Sequence, residues 1–282
     1  MTIQQPKIKY LTNKDLLREI HLSKNTYCSF TKPEFHDYDI ILPNLEKINI
    51  RTIAEAKRNR AAKLSKLAHQ QAQDTQGKKL PAKDFEIDYK KIEKIDVVFR
   101  IMTFDHVPLA PGRKKTLKNT ADSHEKVNFP PFQHWKFDDQ DNLICVGKSH
   151  WIGGMKTGHF SKEHGQMTDN LARMFLKLCE RYATRGNVRG YTYNDEMKGQ
   201  AILQLTQIGL QFDESKSDNP FAYYTAAVTN SFVRIINIEK RNQNIRDDIL
   251  EMNGMNPSWT RMNSGPDPSQ RKYNGDGGGD WD

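Results

Sequence analysis

The sequence predicts a mainly α protein, with a helical bundle in its C-terminal half. A mixed α/β or irregular segment precedes the bundle and a disordered tail follows it. Three observations carry this reading. Between Asn170 and Asp248 three helical patterns of apolar residues follow one another. Before them, aromatic and proline-interrupted stretches alternate with one long Ala/Lys/Arg run and one β-branched run. After Glu251 the chain reads GMNPSWTRMNSGPDPSQRKYNGDGGGDWD, in which Gly, Pro, Asn and Ser leave too little apolar surface for folding alone. The division is residues 1–24, an opening helix; 25–150, a basic α+β segment; 151–248, the helical domain; and 249–282, the tail.

The elements follow in order. TNKDLLREIHL (12–22) is a short helix: Thr12 with Asp15 gives a loose capping box, and Leu16, Leu17 and Ile20 form the apolar stripe. TYCSFTKPEFHDYDIILPNLEKI is extended or irregular. Residues 51–72 form a helix in which six basic residues face Glu55 alone among acids, a pattern more common on a solvated face than on a nucleic-acid contact. QDTQGKKLPAKD is a linker. KIDVVFRIMTF is a strand, and LAPGRKKTLKNTADSHEKVNFPPF is a long polar loop carrying a basic GRKK cluster. HWKFDDQDNLICVG reads as a hairpin turning at DDQDN.

Within the helical block, residues 168–184 place Leu171, Met174, Phe175, Leu178 and Tyr182 on one face, with Gly186 as a stop signal. Residues 194–210 bury Met197, Ala201, Leu205 and Ile208, and Asp195 and Glu196 suit the positive end of the helix dipole. Asp218 or Asn219 is the N-cap of the third helix, residues 220–242, with Pro220 at its first position. Phe221, Val228, Phe232, Ile235 and Ile236 form its core face. Tyr223, Asn230, Arg234, Asn237 and Arg241 line a separate stripe. Aromatic rings offer base stacking and guanidinium groups offer phosphate pairing, so this stripe points to nucleic acid.

Composition agrees. The chain has 282 residues, of which 36% are hydrophobic and 28% charged, enough for a core over part of its length. A formal net charge of +8 favours an acidic partner, nucleic acid first. Cys28, Cys145 and Cys179 are odd in number and form no C-x-x-C, which disfavours a disulfide framework or a zinc ribbon and fits a reducing compartment. No signal core opens the chain and no apolar run approaches a membrane span, so a soluble cytoplasmic protein without membrane partners is expected.

The three helical stretches, taken in order, resemble region 2 of bacterial sigma factors, the promoter-specificity subunits of RNA polymerase. They are most similar to the late-transcription sigma factors of T-even-type bacteriophages. The resemblance rests on NLARMFLKLCERYATRG, NDEMKGQAILQLTQIGLQFD and DNPFAYYTAAVTNSFVRIINIEKR, with Phe212-Asp213-Glu214 and Asn219-Pro220-Phe221-Ala222-Tyr223 as the closest matches. KIKYLTNKDLLREI also resembles that family's opening helix, whereas residues 25–150 have no counterpart and form a large insertion.

The resemblance implies a sigma factor that binds host core RNA polymerase and opens a −10-type promoter element for late genes, in the cytoplasm of an infected bacterium. Glu196, Gly199 and Gln200 would meet the β′ coiled coil, although Gly199 and Gln200 depart from the Gln and acid that many sigma factors carry there. Phe212, Asp213 and Tyr224 would hold a flipped base, whose extrusion costs a few kcal/mol. Ser231 and Arg234 would lie at the upstream edge of the element, and Tyr223, Asn230, Asn237 and Arg241 join the DNA-binding set. Ala227 and Val228 stand where housekeeping sigma factors carry a tryptophan wedge, which implies weaker autonomous melting. No region 4 follows, so the family implies help from a phage coactivator or a sliding clamp, the latter through Trp281 in the tail.

Two other readings compete. A generic nucleic-acid-binding phage protein would satisfy the charge and the stripe. A metal-dependent nucleic-acid enzyme would need Cys145, His150, His159 and His164 as ligands, but their spacing fits no standard zinc pattern. No phosphate-cradling loop and no nucleophile–base pair appears, so no catalytic residues, cofactor or metal are expected, and the protein is read as a non-enzyme.

Overall fold

The computed structural model describes residues 11–76, 81–110 and 123–263. Helix α1 (Asn13–Asn25) starts where expected, because the Thr12 hydroxyl accepts the Asp15 amide and donates to the Asp15 carboxylate at 2.8 Å. Leu16 and Ile20 are fully buried by this helix.

Of the two readings of the segment after α1, the structure has the extended, mixed α/β one. It builds a mixed five-stranded sheet from β1 (Cys28–Phe30), β2 (Ile40–Leu42), β3 (Phe99–Met102), β4 (Phe132–Phe137) and β5 (Leu143–Ser149), ordered β1-β5-β4-β3-β2. Only β2 and β3 pair in parallel, and the link between them is α2 (Ile50–Gln76), longer at both ends than the sequence reading. Parallel neighbours need such a crossover, whereas the antiparallel β4–β5 pair needs only a tight turn. There Asp138 accepts the amides of Gln140 and Asn142, and Asp141 takes φ 64°, as the hairpin reading requires. The strand expected across residues 94–104 shrinks to β3, because the chain before it is spent on short 3₁₀ turns and a loop.

The α2 start is a reciprocal cap: Asn49 accepts the amides of Arg51 and Thr52, and the Thr52 hydroxyl accepts the Asn49 amide. Its basic face is not wholly solvated. Lys63 pairs with Asp37 at 3.0 Å and donates to the Tyr38 carbonyl, and Asn59 holds the Asp39 carbonyl at 2.9 Å. These bonds fasten the segment that leads into β2.

The sheet has two packed faces. Phe99, Ile101 and Phe137 meet Ala56 and Ala61 of α2 on one side. On the other, Phe129 and Phe132 enter the core of the helical domain. A small hairpin, β6 (Trp151–Ile152) with β7 (His159–Phe160), leads into that domain.

The helical domain comprises α3 (Asp169–Ala183), α4 (Asn194–Ile208) and α5 (Pro220–Met252), packed with α1. Leu171, Met174, Phe175, Leu178 and Tyr182 of α3 are all buried, and so are Met197, Ala201 and Leu205 of α4. Asn219 caps α5 by accepting the Ala222 amide at 3.1 Å, with Pro220 in the first turn. Helix α5 runs ten residues beyond the expected end at 242, to Met252. It stops in a Schellman turn: Gly254 takes φ 69°, Met255 N–H reaches the Leu250 carbonyl and Gly254 N–H reaches Glu251.

A short helix, α6 (Trp259–Asn263), then returns along α5. Ser258 donates twice to Asp247, and Arg261 pairs with Asp248 at 2.6 Å and Glu251 at 2.9 Å. The start of the expected tail is therefore ordered against α5. The GRKK cluster and Trp281 lie outside the described residues. By architecture the chain is α/β, with a helical domain laid on the face of a mixed sheet.

Candidate nucleic-acid interface

Helix α5 divides as its sequence divides. Val228, Phe232 and Ile235 are buried, and Ile236 packs partly against the same core. Phe221 does not join them: it sits in the first helical turn, ahead of the packed region, and is 38% exposed. On the outer side Asn230, Arg234, Asn237 and Arg241 are all exposed and line one shallow groove with Val233 and Ile238. Four of the five residues of the expected stripe thus share one surface. Tyr223 lies a turn and more toward the N-terminus, 37% exposed, with its ring 5.6 Å from that of Phe212.

Three of the expected DNA-binding residues are placed differently. Tyr224 is completely buried, its hydroxyl donating to the Gly209 carbonyl at 2.5 Å and its ring 4.8 Å from Phe175. Burial pushes its phenol far above the ordinary range, so it stays a neutral donor. Phe212 is buried beneath Tyr223 and Tyr224, and Ser231 is buried with its hydroxyl turned back to the Ala227 carbonyl. None of the three presents a surface to DNA. For Tyr224 and Ser231 the cause is periodicity, since positions 224, 228, 231 and 235 lie on the core-facing side of one helix, whereas Phe212 lies in the preceding loop and packs against Tyr223 and Tyr224.

Asp213 is engaged in its own loop. Its carboxylate accepts the Ser215 amide and hydroxyl and pairs with Lys216 at 3.1 Å. Burial pushes this carboxyl up, but the bonds from Ser215 and Lys216 outweigh burial and hold it below the usual carboxylate value. Gln211, Asp213, Ser215 and Lys216 form the polar wall of a cleft of about 730 Å³. The opposite wall, with Met102, Phe104, Phe129, Pro130 and Pro131, comes from the sheet side.

That loop is pinned to the sheet by charges the sequence reading missed. Glu214 accepts Arg100 of β3 at 2.7 Å and Lys24 of α1 at 3.3 Å, and Lys24 also reaches the Phe212 carbonyl at 2.8 Å. The side chains of Lys24, Arg100 and Glu214 are 4%, 1% and 8% exposed, so these are buried ions. The Arg100 guanidinium lies between the rings of Tyr38 and Phe132, at 3.8 and 3.9 Å. It also donates to His134 Nε2 at 3.0 Å and to His21 Nδ1 at 3.2 Å. His134 Nδ1 lies 2.7 Å from the Phe35 carbonyl, which fixes it as the protonated nitrogen and leaves Nε2 to accept. Burial, then Arg100, hold His134 and His21 well below the ordinary imidazole value, so both are neutral. A signal existed in the sequence: Arg100 interrupts VVFRIM, and a charge inside an otherwise apolar strand demands a buried partner.

On α4, Glu196 and Gly199 are exposed and Gln200 is half-buried beside them, on the side opposite Met197, Ala201 and Leu205. These three residues form one outward face of the helix. Nothing lies within 4 Å of a side chain added at Gly199, so the face is open.

The four residues weighed as metal ligands are not gathered. Among the described residues no group of three or more His, Cys, Asp and Glu side chains is arranged to hold an ion. The His150 ring lies 4.1 Å from that of Phe129, tilted against it inside the core, and the Cys145 thiol turns to the Gly147 carbonyl. Among the described residues no helix is long and apolar enough to cross a membrane. Comparison with protein-family models, with curated proteins and with solved structures gives no match.

Proposed function

We propose that this chain is a sigma-type promoter-recognition subunit, in which α5 meets DNA and α4 meets core RNA polymerase. The observation that carries the reading is the outer face of α5. Asn230, Arg234, Asn237 and Arg241 line one open groove, while the opposite face of the same helix is core. Guanidinium groups pair with phosphate, and carboxamides bond base edges, so the groove has the chemistry of a nucleic-acid contact. Tyr223, the exposed aromatic at the head of the stripe, takes the stacking role that buried Tyr224 and Phe212 do not offer.

The polymerase assignment rests on the resemblance and on Glu196, Gly199 and Gln200 forming one exposed face of α4. Late-gene promoter choice, use of a coactivator or clamp and residence in an infected cell belong to the same reading. The groove alone equally serves a generic nucleic-acid-binding protein, and partner choice separates the two. In the test, purified protein is mixed with bacterial core polymerase and with templates carrying an A/T-rich −10-type element. The sigma reading predicts a stable complex and run-off transcript, both reduced by Glu196→Lys. Tight DNA binding with no polymerase complex and no transcript would assign the chain to the generic class.

A further inference from the structure

Helix α5 runs for 33 residues, but its contact with the core ends near Ile236. Beyond that point Asp247 is the only buried residue of α5, and what covers it is the return segment at Ser258. Ile238, Asn242, Ile245, Ile249 and Met252 recur along this projecting part at alternating steps of four and three. That is the a/d seam of a coiled coil, with Asn242 at an a position. The four apolar members are 43–87% exposed, and Asn242 is exposed too. Helix α6 does not cover the seam, because Ser258 and Arg261 dock on Gln243, Asp247 and Glu251 around the other side and reach only the flanking Asp248.

The flanks say what would cover it. Positions beside an a/d seam choose the partner by charge. Here the flanking positions hold Glu239, whose carboxylate accepts the Asn242 side-chain amide at 3.2 Å, and the central pair Arg241 and Arg246, both exposed and without an ion pair among the described residues. Asp248, the nearby acid, is already neutralised by Arg261. In a parallel pair of two copies of this chain, Arg241 would face Arg246 of the other copy twice over. We infer that the seam is a docking site for an amphipathic helix of another protein, apolar along a and d and acidic along its edges. The inference is argued from α5 alone, but Ile238 and Arg241 also line the groove proposed for DNA, so a partner helix and DNA would compete for that end of the seam.

Asn242 adds register. An asparagine in a seam is tolerated when a polar group stands opposite, and it penalises shifted pairings. The partner helix therefore carries a polar residue opposite Asn242, with branched apolar residues on either side.

The test uses the full chain and a fluorescent synthetic peptide of four heptads, with Ile at a, Leu at d, one central Asn at a, and Glu at every e and g. A second peptide replaces each Glu with Lys. Fluorescence anisotropy should show saturable binding of the acidic peptide, weakening as salt rises, and none of the basic one. Ile245→Lys with Ile249→Lys should weaken binding by about tenfold or more, since both side chains would be buried in the complex. Both positions are exposed in the free protein, so the thermal midpoint should not move. Arg241→Glu with Arg246→Glu should reverse the preference to the basic peptide. Equal binding of both peptides, binding of neither, or full binding by the Ile245/Ile249 variant would overturn the inference. So would a dimer of the protein in sedimentation velocity that Ile245→Lys abolishes, because the occupant would then be a second copy.

Discussion

Replacing Glu214 with alanine leaves Lys24 and Arg100 buried without a counter-ion, and this is the sharpest energetic consequence of the way the sheet is joined to the helices. Glu214 is the only acidic side chain that pairs with either cation among the described ion pairs, with contacts of 3.3 and 2.7 Å. Removing one partner of a buried pair costs about 3–5 kcal/mol, because the remaining charge keeps its desolvation penalty and loses its compensation. That is a large part of the ~5–15 kcal/mol that stabilises a typical domain.

Arg100→Met should cost less, about 1–3 kcal/mol. Methionine can fill the slot between Tyr38 and Phe132, and Glu214 keeps Lys24. Urea unfolding followed by circular dichroism gives both numbers, at low and at high salt. The order Glu214→Ala above Arg100→Met should hold at both, since buried ions are screened little. A loss below about 1 kcal/mol for Glu214→Ala, or the reverse order, would show that the network is not buried in solution and the reasoning fails.

Other consequences follow from single sites. Tyr224→Phe should lower stability by about 1 kcal/mol, because the buried Gly209 carbonyl loses its donor, and leave single-stranded DNA binding intact; Tyr223→Ala should do the opposite in thermal melts and anisotropy titrations. Gly199→Ala should raise stability by about 0.5–1 kcal/mol, since the position is mid-helix with open space around it, and a lower melting temperature would contradict this. Acid should unfold the protein well above the carboxylate range. Burial holds His150 at about 3 and His106 at about 4, below the unfolded value near 6.5, so the unfolded chain binds more protons between those limits. Their contribution is complete above about pH 6.5 and fades as pH falls, by about 2 kcal/mol for His150 at pH 5. A flat melting temperature from pH 7 to pH 5 would refute it.

The helical domain was legible because its period is strong. Leu171, Met174, Phe175 and Leu178 could be placed from spacing alone, and Asn219-Pro220 marked the start of α5. The core face read from spacing left out Tyr224, which the resemblance assigned to DNA; it stands one turn before Val228 and is buried with it, so the helix period places it where the resemblance does not. The sheet was harder to read because its strands are three to seven residues long and β2 pairs with β3 across a long helix. Such pairings leave no local pattern. The Lys24–Glu214–Arg100 cluster joins residues 76 and 114 positions apart in the chain, so only Arg100's place in an apolar strand hinted at it. Past Glu251 composition argued for disorder, but Gly254, Ser258 and Arg261 supply a turn and two polar anchors that hold α6 without a core of its own.

The central claim is that the outer face of α5 reads promoter DNA on behalf of polymerase. Run-off transcription by bacterial core polymerase, with wild-type protein and with Arg234→Ala/Arg241→Ala, tests it most directly. Both arginines are exposed and touch no core residue's charge, so the variant should fold and still bind polymerase. The account predicts a wild-type transcript from a −10-type template and its loss, by at least about tenfold, in the variant. A variant that transcribes as well as wild type, or a wild-type protein that never programmes initiation, would contradict it.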